Sequence, residues 1–222
     1  MPRQNRVTPE GIIIATPARG TFMGNRGILH NDQQEIVQPY ALKVWLICQL
    51  SFKGRQRQLM QPGNYTELFF LDEATALAAG HRPCFECRRE AALAFRQAWL
   101  AGNPQFNLGD AVKLGEIDAV LHAERLTEAY YKKDKRKKTY TAVLHTLPNG
   151  TFILREERPY LVWEELLLPW EPAGYGEPVR RVCMGSEPVT VLTPPSTVAA
   201  LSHGYLPQLH PSALGWLGPG GG

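Results

Sequence analysis

The sequence predicts an α+β protein, with a first module of antiparallel strands and two helices and a second α+β part behind it. Three observations predict this. Short β-branched and aromatic runs recur between Gly/Pro turn signals over residues 11–71. Two stretches between residues 72 and 100 are rich in helix formers. Beyond residue 103 strand-like and helix-like segments mix more loosely, without an internal repeat. The expected division is 1–102 for the first module and 103–222 for the second part, with 216–222 a frayed tail.

In chain order, residues 11–15 and 20–29 read as short strands or loop edges, the second punctuated by Gly20, Gly24 and Gly27. Residues 44–52 are apolar and rich in β-formers, so they read as a strand. Lys53-Gly54 marks a turn, and residues 55–60 are a candidate returning strand. Gln61-Pro62-Gly63-Asn64 is a second turn signal, and residues 66–71 another strand. Asp72 offers an oxygen to cap a helix over 73–79, and Gly80 stands where a left-handed terminal residue belongs. Residues 88–100 read as a longer helix with Ala92, Phe95, Ala98 and Trp99 on its apolar side, ended by Gly102-Asn103-Pro104.

In the second part, residues 117–131 read as a helix with Val120, Leu121, Leu126 and Tyr130 as core positions. Residues 139–145 and 151–154 look like a hairpin through Leu147-Pro148-Asn149-Gly150, because Asn-Gly suits the tight turn. Residues 160–168 are apolar enough to be buried, while 169–178 are Pro/Gly-rich and read as irregular. A short strand at 189–192 and a helix at 197–202 follow.

The chain of 222 residues is long enough for one good core or two small ones, and its apolar fraction of 44% argues against disorder throughout. No run of eighteen apolar residues predicts a membrane span, and the apolar stretch at 11–15 is too brief for a signal peptide. The expected location is the cytoplasm. The net charge of +3 says little, but its distribution says more. Lys132 to Lys138 holds six bases in seven positions, after Tyr130-Tyr131. Bases beside aromatic rings suit nucleic acid, although a solvated charged turn has the same composition.

The cysteines are Cys48, Cys84, Cys87 and Cys183. Two intervening residues let Cys84 and Cys87 turn both sulfurs toward one point, as tetrahedral zinc requires. A redox pair is the alternative, but no thioredoxin-like βαβ pattern surrounds them. Cys183, in a Pro/Gly-rich region, reads as a small buried or loop thiol.

The stretch Leu68-Phe69-Phe70-Leu71-Asp72, Ala76-Leu77-Ala78-Ala79-Gly80, then His81-Arg82-Pro83-Cys84-Phe85-Glu86-Cys87-Arg88 resembles the second half of the Ada-type zinc-binding domain of bacterial DNA alkylation-repair proteins. The likeness covers about twenty residues. It implies Zn2+ at Cys84 and Cys87. The family's other cysteine pair, which carries methyl transfer, has no counterpart here, so methyl transfer is not carried over. A family variant with a histidine in the first half points to His30, in Gly24-Asn25-Arg26-Gly27-Ile28-Leu29-His30, as third ligand. Cys48 is the candidate fourth and His81 the reserve, although Cys48 on an apolar strand also suits a plain buried thiol.

The leading expectation is a zinc-stabilised protein that binds DNA or RNA, with a repair or processing role. Arg55, Arg57, Arg82, Arg88, Arg89, Lys132, Lys133, Lys135, Arg136, Lys137 and Lys138 are the candidate phosphate contacts. A hydrolase using His122, Glu124, His203 and His210 is the alternative, and a zinc-stabilised interaction module the third. No Walker loop, Gly-x-Ser-x-Gly elbow, His-Glu-x-x-His or dinucleotide fingerprint is present.

Overall fold

Asp72 caps a short helix, α1 (Glu73–Ala78), around which the fold is arranged. The cap is the expected one: the Thr75 amide donates to Asp72 Oδ1 at 2.9 Å, and Gly80 follows at φ +91°. Every residue of α1 is buried, and its alanines let neighbours approach from all sides. Ala76 and Leu77 join a core with the first sheet, whereas Ala74 and Ala78 join a core with the second. The computed structural model describes residues 1–54, 58–109, 112–129, 134–181 and 188–217.

The first sheet contains β1 (Gln4–Val7), β2 (Ile13–Ala15), β3 (Phe22–Asn25), β4 (Leu46–Gln49), β5 (Leu68–Phe70) and β6 (Arg82–Pro83), in the order β2-β1-β5-β3-β4-β6. It is mixed rather than antiparallel throughout, because β1 pairs parallel with β5 and β4 parallel with β6. Of the expected returning strand after Lys53-Gly54, residues 58–60 form no strand, with 59–60 in a turn, and 55–57 lie outside the described residues. The partners of β4 are β3 and β6.

Two further helices, α2 (Arg89–Gly102) and α3 (Leu114–Arg125), pack with this sheet. Ala92, Phe95, Ala98 and Trp99 are the buried face of α2, as their spacing predicts. The same core takes Ala200 and Leu201 from α4 (Pro195–Ser202), so residues well past 102 help to bury the first sheet.

The second sheet contains β7 (Tyr140–Val143), β8 (Phe152–Arg155), β9 (Arg158–Trp163), β10 (Leu166–Glu171), β11 (Gly174–Tyr175), β12 (Val179–Arg180) and β13 (Pro188–Val191). Its order is β11-β10-β9-β8-β13-β7, with β12 also on β10. The expected hairpin over 139–154 is corrected here. β13 lies between its two arms, with Thr190 opposite both Thr141 and Leu154. The Asn149-Gly150 corner serves β9 instead, the Gly150 amide donating to Val162 O at 2.9 Å. The hairpin that does form, β8–β9, turns through Glu156 and Glu157 at φ 49° and 60°, a conformation their side chains do not advertise. The stretch 169–178, expected to be irregular, holds the end of β10 and all of β11. A last helix, α5 (Pro211–Leu217), occupies part of the expected tail.

Candidate metal centre

The register of β4 against β6 builds the site. Leu46 lies opposite Arg82 and Ile47 opposite Pro83, so the next step in each chain sets Cys48 beside Cys84. The Cys84 amide donates to Ile47 O at 2.9 Å, which fixes that alignment. Pro83, without an N–H, is tolerated because β6 is the sheet's edge. The chain then turns through Phe85 and Glu86, is closed by the Arg88 amide on Cys84 O at 2.9 Å, and enters α2. This turn returns Cys87 to the same point. The sulfurs of Cys48, Cys84 and Cys87 all lie within 4.8 Å of one another.

Electrostatics around the sulfurs are divided unevenly. The Cys84 thiol is drawn down to about 5, first because the Cys48 thiol donates to it and further because the Cys87 and Glu86 amides do. The Cys48 thiol is pushed up by its hydrogen bond to Cys84 and by burial. Burial also raises Cys87, against a donated bond from the Gln49 amide. Thiolate character is therefore favoured at Cys84 over Cys48 and Cys87, which hold their protons more firmly. A bound divalent cation would stabilise all three as thiolates and release those protons.

Three sulfurs, two of them served by backbone amides, are a fitting donor set for zinc. Among the described residues no histidine, carboxylate or further cysteine joins the three. Cys183 lies outside the described residues. The three cysteines form part of the wall of a cavity of about 360 Å³, whose other lining includes Met23, Leu46, Phe52 and Phe69.

The structure puts both histidine candidates elsewhere. Nδ1 of His30 meets Thr66 Oγ1 at 2.6 Å and its Nε2 faces Gln61 O at 3.3 Å, so the ring ties the 61–66 loop to the segment after β3. His81 is fully buried, with Nε2 accepting from Arg26 Nε at 3.2 Å and the ring edge-on to Phe70. Burial, and then the charge of Arg26, hold its pKa well below the ordinary histidine range.

The basic candidates divide into two kinds. Arg82 grips Asp118 with Nε and Nη2 at 2.8 and 2.6 Å, and Arg88 grips Glu73 at 2.7 and 2.8 Å, with both arginines buried. Their guanidiniums are closed by carboxylates and largely shielded from solvent. Arg89 is exposed and lies over the Phe85 ring at 4.6 Å. Lys138 is exposed with Nζ on Ala123 O, whereas Lys135, Arg136 and Lys137 line a second cavity. Arg55, Arg57, Lys132 and Lys133 lie outside the described residues. The sequence reading missed Arg26, Arg125 and Trp45, which share that second cavity. Each is isolated in sequence, so no local motif announces them.

The four groups of the hydrolase alternative go to different partners. His122 packs edge-on to Tyr40 and faces Arg125, while Glu124 accepts from Ser196. His203 meets Ala199 O, and His210 meets Ser212.

No family model, curated protein or solved structure matches the chain. The Ada-type resemblance therefore has no matched family behind it, and what stands is a group of three cysteines able to bind a metal ion. Among the described residues no helix is long and apolar enough to cross a membrane.

Proposed function

We propose that the protein binds zinc through Cys48, Cys84 and Cys87, and that the ion is structural, clamping β4 to the turn that opens α2. The observation that carries this reading is the approach of three sulfurs from two separate segments to within 4.8 Å. Zinc suits a soft, sulfur-rich donor set, and a tetrahedral ion would take its fourth donor from outside the trio. The role of the ion follows from where its ligands sit: two on a tight turn, one on a strand paired to that turn. Metal analysis of the purified protein should give one zinc per chain. Cys48→Ser and Cys84→Ser should each lose it and lower the melting temperature. Full zinc retention by Cys84→Ser, or an unchanged melting curve after the metal is chelated, defeats the reading.

A nucleic-acid-binding role in DNA repair or processing is a second reading. Arg89, exposed beside the centre, and the Lys135, Arg136 and Lys138 segment support it. Arg82 and Arg88 take no part, being closed by Asp118 and Glu73. Fluorescence anisotropy with a labelled oligonucleotide should then show binding that weakens as salt rises, because neutralised phosphates release counterions. Absence of binding at low salt removes this reading and leaves the metal centre untouched. The hydrolase alternative has less support, since Glu124, His203 and His210 bond to three different residues, Ser196, Ala199 and Ser212.

A further inference from the structure

A second cavity, of about 630 Å³, gathers more buried positive charge than its one lining carboxylate can balance. Arg26 and Arg125 are 2% and 1% exposed, and their guanidiniums lie over the ring of Trp45 at 4.1 and 3.8 Å. Arg26 donates from Nε to His81 Nε2 and from Nη1 to Gly11 O at 3.1 Å, but its buried Nη2 has no partner. Arg125 donates from Nη1 to Gly80 O at 2.7 Å and from Nη2 to Lys43 O, and its Nε is likewise unpartnered. Lys137, half-buried, donates from Nζ to Ala78 O. Among the described residues none of the three forms an ion pair.

A cation held away from water without a counter-charge is costly, and proteins supply that charge from a side chain or from a ligand. Here the one acid on the described wall is Glu10, whose own buried Oε2 is unpartnered. Three cations against one carboxylate leave a surplus of two, with Lys135 and Arg136 also on the wall. We infer that this cavity binds a small organic dianion, a phosphate monoester, with Arg26, Arg125 and Lys137 receiving the phosphoryl group. Arginine's planar fork matches phosphate oxygens. Gly11 also presents backbone rather than side chain beside Arg26: a Cβ there would stand 3.7 Å from Nη2. Ile12, Ile13, Ile36, Val37 and Pro39 give the organic part an apolar wall, and the volume is that of an ordinary small-molecule site. Burial depresses Arg26 and Arg125 to about 9, and burial with the charges of both brings Lys137 to about 7. A dianion among them would reverse that depression. The site uses none of the three cysteines and stands or falls separately from the zinc reading.

The test is calorimetric titration of the full chain, at constant ionic strength, with phenyl phosphate, inorganic phosphate and benzoate as probes. Phenyl phosphate should bind saturably at one per chain. Inorganic phosphate and benzoate should each be about tenfold weaker, the first for want of an apolar body and the second for want of a second charge. Lys137→Gln, at the half-buried cation, should weaken phenyl phosphate by about tenfold, and Arg125→Gln by more if that variant folds. No saturable binding of any probe, or equal affinity in Lys137→Gln, overturns the site. Benzoate binding as tightly as phenyl phosphate overturns the dianion, and inorganic phosphate doing so overturns the organic body.

Discussion

Four buried arginines among the described residues divide into two pairs that live by different rules. Arg82 and Arg88 flank the cysteine turn and are each met by two carboxylate oxygens, from Asp118 and Glu73. Arg26 and Arg125 flank Trp45 and are met by carbonyls and imidazole nitrogens, with one nitrogen of each left over. The first pair completes its electrostatics within the chain and acts as architecture. Arg88 holds α1 to the start of α2, and Tyr205 and the Gln208 amide close the same Glu73 carboxylate at 2.5 and 3.0 Å. The second pair is incomplete. Burial alone therefore does not separate a strut from a binding group; the presence of an internal counter-charge does.

The sharpest way to break this contrast is to remove a counter-charge. Glu73→Ala strands Arg88 without its anion and withdraws the acceptor of Tyr205, so urea denaturation should show a loss of about 3–5 kcal/mol. Asp118→Ala should cost somewhat less, since Arg82 keeps Pro83 O. Should Glu73→Ala unfold at the wild-type midpoint, the Arg88 pair is not a strut.

Removing a cation from the other region should act in the opposite direction. Lys137→Met, measured without phosphate at pH 7, should leave stability unchanged or raise it by up to about 1 kcal/mol, because an uncompensated charge departs. Its pH signature has a definite sign. The folded-state pKa of Lys137 lies near 7, below the ordinary 10.5, so the unfolded chain retains a proton that the folded chain sheds. Wild-type stability from this group should rise between about pH 7 and 9, and Lys137→Met should flatten that rise. A destabilised Lys137→Met protein with the wild-type slope would place Lys137 with the struts.

The division between the two regions also marks what could be read from the chain. The cap at Asp72, the apolar face of α2 and the Cys84–Cys87 turn are local, each settled by residues a few positions apart. Cys48 entered as the centre of an apolar strand, and the strand pairing supplied the reason it sits beside Cys84. His30 could not be judged from sequence, because its partner Thr66 lies 36 positions away. The Asn149-Gly150 turn misled because β13, far along the chain, competes for the place beside β8. Arg82 and Arg88 looked like phosphate contacts beside a metal motif, and only tertiary packing reveals the acids that enclose them. The cationic cavity drew on residues from at least five separate segments, so no spacing could disclose it.

The two-residue strand β6 carries a consequence for how the chain assembles. Side chains alternate along a strand, so sliding β6 by a single position against β4 would turn the Cys84 sulfur to the opposite side of the sheet. An ion that needs all three sulfurs can then be captured only by correctly aligned molecules. The centre would act as a proofreader of strand alignment, locking those chains that have paired properly and leaving misaligned ones free to come apart and try again.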